Sequence, residues 1–168
     1  MRLTKVLLMT AAAVGLSALA PAGDAGSNRG WEKLKSLAGE WRGTYEGKNP
    51  VHVTYTLVSG GTALMEAMDM PGDSPMITMY APDGDRIVAT HYCHAGNQPR
   101  IRATPDAAAP GRLAFDFVDA TNVSSPDGEM MRSLVVTFQD PDHFRQEWTS
   151  RVNGVDHTGV FEYARAKK

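Results

Sequence analysis

MITMYAPDGDRIVATHYCHAGNQPRIR, residues Met76–Arg102, decides the fold class. A short β-prone run, Met76–Tyr80, opens it. The turn Ala81-Pro82-Asp83-Gly84-Asp85 follows, where Pro presets φ and Gly supplies a positive φ without steric cost. The chain returns antiparallel through Arg86–His94, turns again at Ala95-Gly96-Asn97-Gln98-Pro99 and leaves through a strand starting at Arg100. This is a three-stranded meander with no room for a crossover helix, and it holds the only cysteine and two of the five histidines.

The same rhythm runs outward in both directions. Upstream, the expected strands are Glu40–Glu46, Val51–Val58 and Thr62–Met70, parted by Gly47–Pro50, Ser59–Gly61 and Pro71–Asp73. Downstream they are Arg100–Thr104, Arg112–Ala120, Met130–Gln139, His143–Val152 and Asp156–Ala164. Asn153-Gly154, between the last two, is the strongest two-residue hairpin signal. About ten short strands without crossover helices predict an all-β fold, a single antiparallel barrel or a two-sheet sandwich. Closure removes the edges an open sheet would expose, so the barrel is the expectation carried forward.

Ahead of the strands, Trp31–Ala38 reads as one short amphipathic helix that caps the barrel, with Trp31, Leu34, Leu37 and Ala38 on one face and Gly39 as its stop. Residues 23–30 are Gly/Ser/Asn-rich and read as a flexible linker, which leaves 31–168 as the barrel domain. Residues 1–22 carry Arg2 and Lys5, an apolar run Val6–Leu16 and the small-residue sites Ala18-Leu19-Ala20 and Ala20-Pro21-Ala22, the pattern of a cleaved export signal. The apolar run is shorter than the roughly 20 residues of a membrane span. The expected location is the periplasm or the cell exterior, with no membrane span after cleavage.

Losing Arg2 and Lys5 from 17 Lys+Arg against 19 Asp+Glu takes the net charge from −2 to near −4. That balance argues against a nucleic-acid partner. The remaining chain of roughly 146 residues is long enough for one domain with a real core. A lone Cys93 makes no internal disulfide, and a buried thiol is the default.

Gly39-Glu40-Trp41 at the helix–strand junction resembles the Gly-x-Trp start of calycin-like barrels. In lipocalins the Trp plugs one barrel end under a basic residue of the last strand, which implies structural roles for Gly39, Trp41 and Arg165. A cation over an indole face gives that pairing a physical basis. The longer Gly39-Glu40-Trp41-Arg42-Gly43 is similar to the opening of ten-stranded barrels of the nitrobindin and fatty-acid-binding-protein type. Thr90-His91-Tyr92-Cys93, Gly96-Asn97-Gln98-Pro99-Arg100, Phe117–Asn122 and Gln146-Glu147-Trp148-Thr149 resemble a set of uncharacterised secreted bacterial proteins. This chain has Ala81 and Glu129 where that set often carries His, which weakens any metal or haem reading that needs those imidazoles.

Strand parity selects the candidate site. His91 and Cys93 share a face with Ile87 and Ala89, whereas odd spacing sends His94 to the other face, so His91-x-x-His94 is not a zinc pair. His91 and Cys93 suit a soft metal, but further ligands would have to come from Glu66, His52, His143 or His157. A Cys93–His91 nucleophile dyad is the enzymatic alternative, without a nameable oxyanion site. Haem, admitted by the resemblance, would fall to His157 or His143. The plainer reading of His91 and Cys93 is a packed, hydrogen-bonded pair, and no cofactor is predicted.

Leu113/Phe115/Phe117, Leu134/Val136/Phe138, Phe144/Gln146/Trp148 and Phe161/Tyr163 form an aromatic wall. Met65, Met68, Met70, Met76 and Met79 crowd two neighbouring strands, and Met adapts to varied ligands. The expectation is a small, mostly apolar ligand held by His91, Cys93, Phe115, Phe117 and Trp148. If Arg100 and Arg102 face inward, the ligand carries an acidic head group. If they face water, only Ile101 and Ala103 point in. A partner-docking module of the cell envelope is the runner-up, ahead of a haem-handling or enzymatic barrel.

Overall fold

A computed structural model describes residues 28–125 and 128–167. The export signal expected over 1–22, and the linker as far as residue 27, lie outside the described residues. Helix α1 spans Arg29–Lys35, so it begins two residues before the predicted start and takes over the end of the expected linker. The reason is its cap: Asn28 Oδ1 accepts from Trp31 N at 3.0 Å, while its Nδ2 donates to Gly84 O and Arg86 O across the fold. Leu37 and Ala38 continue as tight turns, bonded to the carbonyls of Leu34 and Lys35.

Ten strands follow: β1 Gly39–Tyr45, β2 Asn49–Val58, β3 Ala63–Asp69, β4 Met76–Asp83, β5 Arg86–Tyr92, β6 Gln98–Ala103, β7 Arg112–Thr121, β8 Met130–Asp140, β9 His143–Val152 and β10 Val155–Arg165. Each pairs antiparallel with the next, and β10 pairs with β1, so the sheet is a closed barrel. Strand β4 runs three residues past the predicted Tyr80, because Asp83 pairs with Arg86 and Gly84-Asp85 alone make the turn. Strand β5 stops at Tyr92, where Cys93 N leaves the ladder and donates to Asn97 O.

Apolar side chains alternate inward along the strands, as Val51/Val53/Tyr55 on β2 and Leu113/Phe115 on β7 show. Trp31, Leu34 and Leu37 of the capping segment join that core. Trp41 is 1 % exposed, its indole N–H donates to Leu37 O at 2.7 Å and its ring meets Phe144 edge-on at 4.7 Å. The Arg165 guanidinium lies 4.1 Å over the indole and donates to the carbonyls of Ser36, Ala38 and Pro141. Gly39 takes φ +127°, and a Cβ there would sit 3.3 Å from Arg165 Nη1. The Gly-x-Trp segment is thus a joint between helix, first strand and last strand.

Candidate ligand site in the barrel interior

Cross-strand partners lie on the same face of a sheet. Ala89 stands opposite Ile101 and Ile87 opposite Ala103, so the inward row of β6 is Pro99, Ile101 and Ala103, all buried. Arg100 and Arg102 stand opposite Thr90 and Val88 and are exposed. The inward placement of Arg100 and Arg102 is therefore corrected: both guanidinium groups face water, and Arg100 pairs with Asp119 on the outer surface. The β6–β7 register shift at Arg100/Ile101 brings Asp119 there, since Arg100 faces Asp119 while Ile101 faces Phe117. An acidic head group loses the support those two residues were to supply.

His91 lies 4 % exposed on the inward row of β5. Its cross-strand neighbour Thr78 holds Nδ1 at 2.9 Å, and its ring centroid is 5.0 Å from that of Trp148 on β9. Among the described residues, His91 Nε2 and Trp148 Nε1 are both buried without a hydrogen-bond partner. Burial, aided by the nearby His94, lowers the His91 pKa to about 4, so the imidazole is neutral at physiological pH. Cys93 is also buried, and burial raises its thiol pKa, with Sγ accepting from Ala95 N at 3.5 Å. A protonated thiol and a neutral imidazole do not make an activated nucleophile pair. Nor is Cys93 part of the apolar core cluster; it lies where the chain leaves β5, and Asn97 in the same loop donates to Glu129 O at 2.6 Å.

The polar centre of the interior is built on Glu66, which the sequence offered only as a possible further metal ligand. Glu66, 1 % exposed on β3, accepts at Oε2 from Tyr80 OH at 2.6 Å, Tyr55 OH at 3.0 Å and Gln146 Nε2 at 3.1 Å. Gln146 Nε2 also donates to Tyr55 OH at 2.9 Å, tying β9 across the barrel to β2 and β3. Burial raises the Glu66 pKa while the three donors oppose the rise. Desolvation and the Glu66 carboxylate hold Tyr55, Tyr80 and Tyr163 far above the usual phenol range. Parity is the signal that could have found this group: Glu66 lies between Leu64 and Met68, and Gln146 between Phe144 and Trp148, on rows that are otherwise apolar.

Phe115 packs in the core against Tyr80, ring centroids 5.8 Å apart. Phe117 is only half-buried, outside the core cluster, with the Arg132 guanidinium 3.7 Å above its ring. Of the clustered methionines, Met68 and Met76 are buried inside, whereas Met65 and Met79 form a half-buried pair on the other face. His143, bound to Asp140, and His157 are both exposed, so the late histidines put forward for haem stand outside the barrel. His52 lies on the outward row of β2, away from the row of His91. Among the described residues no three or more His, Cys, Asp or Glu side chains converge on a metal-sized site. A surface cleft of about 520 Å³ lies between α1 and the β8–β9 turn, and one of about 390 Å³ on the outer side of β1–β3.

No known family matches the chain, and no curated protein matches it. Solved structures do. A protein with unknown function from the DUF3598 family of Nostoc punctiforme aligns with a TM-score of 0.53 at 15% identity, over 79% of this chain and 49% of its own. Rv2717c from M. tuberculosis aligns with a TM-score of 0.56 at 14% identity, over 81% of this chain and 96% of its own. The chain spans about half the length of the Nostoc protein and nearly all of the M. tuberculosis one. At such identities the likeness is one of fold.

Proposed function

We propose that this chain is a calycin-type binding barrel, exported from the cytoplasm, that holds a small, mostly apolar molecule in its interior. The observation that carries the reading is that His91 Nε2 and Trp148 Nε1, on rings whose centroids lie 5.0 Å apart, are both buried without a hydrogen-bond partner among the described residues. Buried polar atoms are paired in more than about 90% of cases, and a lost bond costs on the order of 1–3 kcal/mol, so such atoms call for a bound group. The setting favours an internal ligand: about eight strands make a barrel that side chains just fill, and this barrel has ten. Trp148, Met68 and Met76 supply apolar contact. With Arg100 and Arg102 outside, the head group that fits is a neutral one.

Native mass spectrometry of protein purified from its own host tests the proposal, with a co-purifying small molecule as the expected result. Apoprotein alone, from cells and after exposure to lipid extract, would refute it. That outcome would favour the docking role, which rests on the exposed cross-strand pair Ile77–Tyr92 and nearby Val88 on the outer face of β4 and β5. Export rests on residues 1–22; N-terminal sequencing of periplasmic or secreted protein is expected to start after Ala20 or Ala22, and an intact Met1 would overturn it.

A further inference from the structure

The cleft of about 520 Å³ between α1 and the β8–β9 turn has the size of a small-molecule site and lies outside the barrel interior. Leu37 and Trp41 of the buried cap form its floor, and Phe138 and Pro141 add an apolar wall. Five charged side chains line it, Arg29, Lys33 and Arg165 against Glu32 and Asp140. Both acids are already matched. Glu32 pairs with Lys35 at 2.8 Å, and Lys35 does not line the cleft. Asp140 accepts from Asp142 N at 2.8 Å and meets His143 Nδ1 at 2.9 Å, contacts that hold its carboxyl below the usual range. Arg165 is matched as well, by the carbonyls of Ser36, Ala38 and Pro141 and by Asp142.

Two cations remain. Arg29 and Lys33 stand four residues apart on α1, one turn along the same face. Neither has a salt bridge among the described residues. Lys33 Nζ lies 5.4 Å from the centroid of the Phe138 ring, which puts positive charge directly beside the apolar wall. We propose that this cleft binds a small amphipathic anion, its carboxylate held by Arg29 and Lys33 and its apolar body laid against Phe138 and Pro141. A guanidinium meets a carboxylate through two parallel N–H bonds, and an ammonium adds a point charge beside it. A cationic ligand finds both acids of the cleft already paired, and a neutral one leaves the two cations unmatched. The site is separate from the interior one and stands or falls without the binding-barrel reading.

The test uses the purified ¹⁵N-labelled protein with 2-naphthoate, its uncharged analogue 2-naphthamide, and acetate, which has the charge without the body. Affinity is read by calorimetry. Position is read from the three indole N–H resonances, assigned by losses in Trp31→Phe and Trp148→Phe, which leave Trp41. 2-Naphthoate is expected to bind with a Kd of about 1 mM or tighter, about ten-fold better than either other probe. It should shift the Trp41 resonance and leave that of Trp148 in place. Arg29→Gln and Lys33→Gln, both at exposed positions that leave the core intact, should each weaken it about three-fold. Lys35→Gln should weaken it too, because it frees the Glu32 carboxylate beside the site, whereas Arg102→Gln on β6 should change nothing. Equal affinity for 2-naphthoate and 2-naphthamide, or binding indifferent to both Arg29→Gln and Lys33→Gln, would overturn the proposal. A shift of Trp148 in place of Trp41 would move the anion to the interior, overturning the cleft site while supporting the binding barrel. No binding of 2-naphthoate at millimolar concentration would also overturn the cleft site and leave the interior reading untouched.

Discussion

Acid should destabilise this barrel through His91, by an amount its burial sets. The folded-state pKa of about 4 lies below the ordinary value of about 6.5. Between those two values the unfolded chain binds more protons than the folded one, so stability rises with pH across that window and is lost as pH falls through it. At a pH near 4 the accumulated penalty is about 3 kcal/mol, a large part of the stability of a domain this size. Glu66 works with the opposite sign: its raised pKa makes the folded state hold a proton more tightly, so its contribution falls as pH rises above the ordinary carboxylate range. The two effects mask each other in the wild-type curve alone. Urea melts of the wild type and His91→Leu between about pH 4 and pH 8 separate them, because Glu66 is common to both. The variant will be less stable at neutral pH, since Thr78 loses its imidazole partner. The gap should then close by about 3 kcal/mol towards pH 4. Parallel curves would refute the reasoning and mean that His91 titrates as an exposed imidazole.

Trp41→Ala should cost roughly 3–5 kcal/mol, as a buried aromatic that also loses a hydrogen bond, and Arg165→Ala should cost less. Melts of the two singles and the double should show coupling of about 1 kcal/mol, and additivity would mean that the guanidinium above the indole adds nothing. Arg100→Ala should leave the affinity of any interior ligand unchanged, because the side chain lies on the outer surface with Asp119; a marked loss on calorimetry would contradict the register of β5 and β6. Cys93 should react slowly with a thiol reagent at neutral pH, since burial both shields the sulfur and raises its pKa; labelling as fast as that of a free thiol would place it outside.

How much could be read in advance differed from element to element, for physical reasons. The turn chemistry of Asp83-Gly84-Asp85 and Asn153-Gly154 is local, and with parity it yields the strands, their antiparallel order and the shared face of Ile87, Ala89 and His91. Gly39, Trp41 and Arg165 could be matched because the chain ends of a barrel meet when β10 closes on β1. Register is another matter. Whether β6 turns its arginines or Ile101 inward depends on which residue of β5 stands opposite, and a shift by one residue reverses every side chain. The alternation of Ile101 and Ala103 with Arg100 and Arg102 favours the apolar face, but an acidic ligand would have reversed that preference, and the pairing with β5 decides. The bulge that sets Asp119 against Arg100 arises between strands, and so does the way β8 loses register near Arg132. The Glu66 centre is the extreme case. Its partners Tyr55, Tyr80 and Gln146 lie up to 80 residues away, and only closure of the barrel brings Gln146 across to a carboxyl on the opposite wall. Local sequence determined the strands and the faces they could present; the closed sheet decided which faces look inward and which polar groups meet there.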